Sequence, residues 1–339
     1  MPAFLSAQTT VQVRTFFSEL GKDIYDTSLT LFKIMIPAII IVKIAQELGG
    51  IDLLASFIEP LMSGLGLPEN VGLVWAMTIA TNLYGGMIVF ADLDTSALSV
   101  AQMSVLGCLI LTVHGLPVEV AVAKKAGVNV WIVLVTRVGG GILFAWTLHQ
   151  IYSTGQYLQE PAEVIFKLAP STDASLLGWA IVQLKNLAMI VVILSLLMFG
   201  LRMLRILGIE RLMGLMLRPL LWVFGIGKEA TSFAIIGITL GLSFGGGLII
   251  NEAKKGDIPA RDVFSTIILL GLLHSMIEDT MLIMLLGADF TSIFWGRLIF
   301  VTLFVGIFLR LVNLLSEETR QRYFYRSLKN DAPLYVKQT

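Results

Sequence analysis

Two histidines lie deep in apolar sequence, and each is followed five residues later by an acid: His114 and Glu119 in "HGLPVE", His274 and Asp279 in "HSMIED". Imidazole and carboxylate groups can pass a proton or hold a cation between them. Inside hydrocarbon an ionised acid costs roughly 3 kcal/mol or more unless a partner or water meets it, so these groups need a reason to be there. Glu278 adds a further acid beside Asp279, where the first motif has Val118. That makes Glu278 the foremost candidate for a coupling proton or sodium ion, with Asp279 and Glu119 next. Ser275 supplies a hydroxyl beside His274. Arg137 and Arg297 each fall roughly nine residues, about 13 Å, into the apolar segment that follows its acid. They are expected to form ion pairs with Glu119 and Asp279, either as structural locks or as parts of a site. The histidines can equally serve as hydrogen-bonding glue. No metal site is expected; in the alternative, His114 and His274 hold a divalent ion.

Membrane helices must position these residues. Of 339 residues, 56% are hydrophobic and 14% charged, with mean hydropathy +0.84; soluble domains carry about 25% charge. Several apolar runs exceed the roughly 20 residues that cross a bilayer. The expected fold class is all-α integral membrane. Apolar segments cover 27–48, 68–93, 97–127, 128–151, 176–200, 228–253, 262–287 and 290–312. Two amphipathic stretches, 51–66 and 207–225, have the helical spacing of interfacial helices. Residues 1–26 read as a polar N-terminal segment without a signal-peptide pattern, 152–174 as a linker, and 314–339 as a polar tail. Four apolar segments are interrupted: at Gly85-Gly86, at Gly245-Gly246-Gly247, and at the two histidines. Tyr84 and Phe244, just ahead of the glycines, can stack on a ring or simply pack. The run "VGGG" (138–141) reads as helix packing or as a flexible point.

The two halves align without gaps at an offset of 160. Glu69 meets Glu229, Gly85-Gly86 meets Gly245-Gly246, Asp92 meets Glu252, Gly127 meets Gly287, and the His, acid and Arg positions coincide. Polar residues and glycines are scarce here, so these matches point to an internal duplication, 27–151 and 175–313. Lys and Arg mark cytoplasmic loops. Arg202, Arg205, Arg211, Arg218, Lys254 and Lys255 crowd loops whose first-half equivalents have none, while Lys124 and Lys125 reverse the bias. Matching loops therefore fall on opposite faces, and the repeats are inverted. The same charges place both ends of 68–93 outside and both ends of 228–253 inside, which makes each a re-entrant hairpin. Each repeat then holds three transmembrane helices, an interfacial helix and a hairpin, with both chain termini cytoplasmic. Eight plain spans in parallel repeats would leave the charge asymmetry without a cause.

Zero net charge argues against a nucleic-acid partner, and the single Cys108 forms no internal disulfide. No HExxH, GxSxG or phosphate-loop pattern occurs, so no enzyme and no cofactor is expected.

The order span, interfacial helix, hairpin, broken span, span, present twice, resembles the core of the concentrative nucleoside transporters. "SFGGGLIINEAKKGDIPARDVF" and "LLGLLHSMIEDTMLIMLLGADF" are similar to the Gate, or "nucleoside recognition", membrane domain. That family includes the spore maturation proteins and the membrane part of the ferrous-iron transporter FeoB. The resemblance covers about residues 27–313. It implies a mobile transport unit moving against a scaffold of first spans, in an elevator-type motion, and a homo-oligomer. Inverted repeats with broken helices put the substrate near the midplane. The expected contacts are Tyr84, Gly85, Gly86, His114, Phe244, Gly245, Gly246, His274 and Ser275. The function expected is secondary transport of a small polar or anionic solute across the bacterial inner membrane, coupled to a proton or sodium. The alternatives are a divalent-metal carrier or channel, and a non-transporting assembly protein of the spore-maturation type.

Overall fold

The computed structural model describes residues 2–48, 58–93, 98–165, 168–170, 175–256 and 258–328. Among these residues the chain is helical, with isolated bridges and no strand. The first half contains α1 (Pro2–Glu47), α2 (Val71–Ala80), α3 (Leu83–Ala91), α4 (Val100–Thr112), α5 (Leu116–Lys125) and α6 (Val130–Gly155). The second contains α7 (Leu176–Ile206), α8 (Ile209–Val223), α9 (Lys228–Leu240), α10 (Leu242–Lys255), α11 (Ala260–Leu273), α12 (Glu278–Leu285) and α13 (Thr291–Asn313), followed by a short α14 (Glu317–Tyr323).

Six stretches are long and apolar enough to cross a membrane: Arg14–Ala45, Val100–Lys125, Val130–Gly155, Leu176–Ile206, Ala260–Leu285 and Thr291–Asn313. The protein is therefore an integral membrane protein in contact with lipid. The first stretch differs from the expectation. Residues 2–26 are not a separate lead but the beginning of α1, which runs unbroken past Gly21 and Pro37. Residues 51–57 of the first amphipathic stretch lie outside the described residues; 58–64 is helical, and α8 occupies the place of the second.

The pairs α2–α3 and α9–α10 are helical hairpins. Helix α2 is about 15 Å long, half of what a crossing requires. The expected breaks at the paired glycines are displaced. The first hairpin turns at Thr81-Asn82, where the Asn82 side chain accepts a hydrogen bond from Gly85 N at 3.0 Å and caps α3. The second turns at Gly241, whose φ of +93° suits glycine. Gly85 and Gly86 lie inside α3 and let the arms approach each other. A Cβ there would come within 2.3 Å of Thr81 Oγ1 and 2.1 Å of Thr78 Cγ2. Gly245 and Gly246 likewise fall inside α10.

The core is divided in two, and each part takes a piece of the other half. Leu282, Ile283, Leu286 and Ile293 pack with first-half residues such as Leu106 and Leu109. Ala123, Ala126, Val128 and Val133 pack with second-half residues such as Phe264 and Val305. The segments after the last helices repeat the exchange: Ile165 N donates to Leu285 O at 3.0 Å, and Arg326 N to Gly127 O at 2.8 Å.

Candidate functional site

Helices α4 and α11 both stop in the middle of a span, at the two histidines. The residue after each histidine is left-handed: Gly115 at φ +57° and Ser275 at φ +48°. For a serine this conformation costs about 1–2 kcal/mol. The adjacent hairpin supports each break, since Gly115 N donates to Thr78 O at 2.9 Å and Met276 N to Ile238 O at 2.8 Å.

A helix that ends inside a membrane frees carbonyls that water cannot reach. Two side chains per half answer them. His114 Nδ1 lies 2.9 Å from Ile110 O, and His274 Nδ1 lies 2.8 Å from Leu270 O. Arg137 Nε donates to Thr112 O at 3.2 Å, and its Nη2 to His114 O at 3.1 Å. Arg297 Nε donates to Leu272 O at 2.9 Å, and its Nη2 to His274 O and Leu111 O, each at 3.0 Å. Both guanidiniums are sealed from solvent, at 1% and 0% exposure. Each sits at a π-helical turn, Val135–Gly139 or Thr291–Gly296, early in its helix. Gly141 of "VGGG" serves packing here: a Cβ would meet Val113 Cγ2 at 2.4 Å.

The expected ion pairs divide. Arg137 Nη1 binds Glu119 Oε2. The Asp279–Arg297 pair is not made. Arg297 directs three bonds to carbonyls, one of them from the other half, and its Nη1 has no hydrogen-bond partner. Asp279 turns instead toward the histidines, and its buried Oδ2 has no hydrogen-bond partner.

The two histidines meet across the halves. Their Nε2 atoms are 3.0 Å apart, with ring centroids 4.8 Å apart and planes at 51°. Glu119 Oε1 lies 3.3 Å from His274 Nε2 and 3.9 Å from His114 Nε2. Asp279 Oδ2 lies 3.6 Å from His114 Nε2 and 3.9 Å from His274 Nε2. Each acid is thus nearer to the other half's imidazole. A backbone carbonyl only accepts, so both Nδ1 atoms carry their hydrogens. A neutral imidazole then presents a bare lone pair at Nε2. Two such lone pairs and two carboxylate oxygens converge on one small volume. This chemistry receives a positive charge.

Of the remaining expected site residues, Tyr84 and Glu278 contact each other. Tyr84 Oη donates to Glu278 Oε1 at 3.3 Å, joining the first hairpin to the second half's broken span. Glu278 is half-buried and precedes Asp279 at the start of α12. The side chain of Phe244, which aligns with Tyr84 at an offset of 160, is outside the described residues. Ser275 faces the turn of the second hairpin, where a Cβ on Gly241 would lie 2.6 Å from its Oγ. Sequence reasoning missed Asn82, the cap of α3, whose buried Nδ2 has no partner. The available signal was an Asx residue just ahead of an apolar helix.

The chain is 27% identical over 268 residues to the "Uncharacterized membrane protein YvoD" of Bacillus subtilis (strain 168), a match spanning 78% of this chain and 84% of that protein. No protein-family model and no solved structure matches it.

Proposed function

We propose that the protein is a secondary transporter built from two inverted repeats, and that it acts on a cation held between His114 and His274. The observation that carries this reading is the pair of Nε2 atoms facing each other at 3.0 Å with both Nδ1 atoms engaged by carbonyls. A positively charged guest suits this set of acceptors better than the small polar or anionic solute expected from the sequence.

Inversion of the repeats is supported by how the broken spans pass each other. A Cβ on Gly107 would meet Ile283, while His114 meets His274. Residue numbers rise along one span as they fall along the other. Six crossings would return the chain to the side where it began, and the basic residues at 124–125 and 202–218 support the cytoplasm of a bacterial inner membrane as that side. The breaks in the two hairpins lie against the breaks in α4–α5 and α11–α12, the arrangement in which non-helical backbone lines a route. The resemblance to the Gate domain is consistent with a hairpin-bearing unit that moves against α1 and α7.

The test is flux. Purified protein in proteoliposomes should dissipate an imposed gradient of the transported cation, read with an entrapped ion-sensitive dye. The His114→Ala/His274→Ala variant should show no more flux than empty vesicles. Equal flux through the variant and the parent would remove the histidine pair from the route.

A further inference from the structure

We infer that the central cluster is a binding site for a divalent transition ion, held by His114 Nε2, His274 Nε2 and the Asp279 carboxylate, with Glu119 at its flank. This names the cargo of the transport reading above and rests on it only for direction of use; the binding itself stands or falls separately.

A four-coordinate ion with bonds of about 2.0–2.1 Å has ligand atoms about 3.3–3.4 Å apart. The two imidazole nitrogens are 3.0 Å apart, and Asp279 Oδ2 is 3.6 and 3.9 Å from them. His114, His274 and Asp279 form a buried ligand set within 4.8 Å. Glu119 Oε1 approaches from the other side at 3.3 Å from His274 Nε2.

Imidazoles that bind metals donate their other ring N–H to a carbonyl or carboxylate, which fixes tautomer and ring plane. Both histidines do this, to Ile110 O and Leu270 O. Arg137 occupies the outer oxygen of Glu119 and leaves Oε1 facing the histidines. Asp279 Oδ2 has no hydrogen-bond partner in the protein although its side chain is nine-tenths buried.

Two imidazoles with carboxylates select Zn²⁺, Co²⁺, Ni²⁺ or Fe²⁺ over Mg²⁺ and Ca²⁺, which prefer six or more oxygens. No thiolate joins the set, because Cys108 lies against Ser292 O, so a soft monovalent ion is disfavoured.

The experiment is a Co²⁺ titration of the full chain, stripped with chelator and held in nanodiscs, followed by visible absorption and by metal analysis of the washed protein. The expected result is one Co²⁺ per chain, with ligand-field bands that Zn²⁺ abolishes and Mg²⁺ does not. Asp279→Asn should weaken binding by more than the roughly 10- to 100-fold typical of changes to groups that only support a ligand, and His114→Ala/His274→Ala by more still. His149→Ala, which alters the third histidine elsewhere in the chain, should bind as the parent does. A well-folded parent chain that retains no stoichiometric Co²⁺ or Zn²⁺ overturns the proposal, and this result needs no variant. Binding that survives loss of both central histidines also overturns it. Ion binding without flux in vesicles would leave the site standing and remove the transport reading; flux of another cation without transition-ion binding would do the reverse.

Discussion

The two halves answer the same structural problem in the same way and then diverge. Arg137 and Arg297 cap the carbonyls of a helix stopped inside the membrane, with bonds that correspond residue for residue. The histidines repeat their own bond four residues back. The acids do not repeat. Glu119 is tied to Arg137, whereas Asp279 is free of Arg297 and faces the imidazoles. Beside it Glu278 is engaged by Tyr84, where the other half has Val118 and Phe244 at an offset of 160. The common part therefore holds the broken helices together, and the unequal part carries what distinguishes the halves chemically.

The largest effect should come from breaking the shared part in the half where an acid depends on it. Arg137→Leu frees capped carbonyls and orphans Glu119, at a cost of about 3–5 kcal/mol. Arg297→Leu loses caps without orphaning a paired acid and should cost less, about 2–3 kcal/mol. Thermal unfolding in detergent reads both; equal losses would mean that Arg137 and Glu119 do not act as a pair.

Next comes the hairpin turn, which the halves build differently. Gly241→Ala meets both a φ of +93° and the Ser275 hydroxyl, at about 2 kcal/mol. Thr81→Ala in the first hairpin, where φ is negative, should cost about 1 kcal/mol through its lost hydrogen bond to Met77 O. A reversed order would show that the second turn relaxes freely.

The asymmetric contact can be removed outright. Tyr84→Phe and Glu278→Val give the first hairpin and second broken span the residue types of their counterparts. A double-mutant cycle should yield a coupling of about 1 kcal/mol, and zero coupling would mean that the Tyr84–Glu278 bond is not populated. Smallest of all, Ser275→Gly makes the second break like the first. Relief of the left-handed serine is offset by the entropy of glycine, leaving a net change under about 1 kcal/mol in either direction; a larger loss would assign the Ser275 side chain a further role.

Much of this was legible in the sequence because apolar runs, glycines and charges each carry a local cause. The breaks at His114 and His274 followed from polar and proline residues inside spans, and the six long apolar helices agree with three crossings per half. The hairpin turns were placed several residues late because a glycine pair looks like a break when it is a close-packing surface. The turns instead depend on Asn82 as a cap and on Gly241, signals one residue long. The arginines were assigned to the acids because opposite charges attract. What overrode that choice was the carbonyls freed by the breaks, which Arg297 satisfies in preference to Asp279. That His114 and His274 touch could not be read from either copy alone. Their contact depends on how the halves pack, and a constant offset of 160 says nothing about the distance between equivalent positions.

The central claim is that a cation sits between the two imidazoles. The most direct measurement is an experimental structure of the chain soaked in Co²⁺ or Zn²⁺, with anomalous data on both sides of the metal edge. The account predicts one anomalous peak between His114 and His274, about 2.0–2.1 Å from each Nε2, with Asp279 turned toward it. Imidazoles that part without a peak, or a peak confined to surface residues, would contradict it.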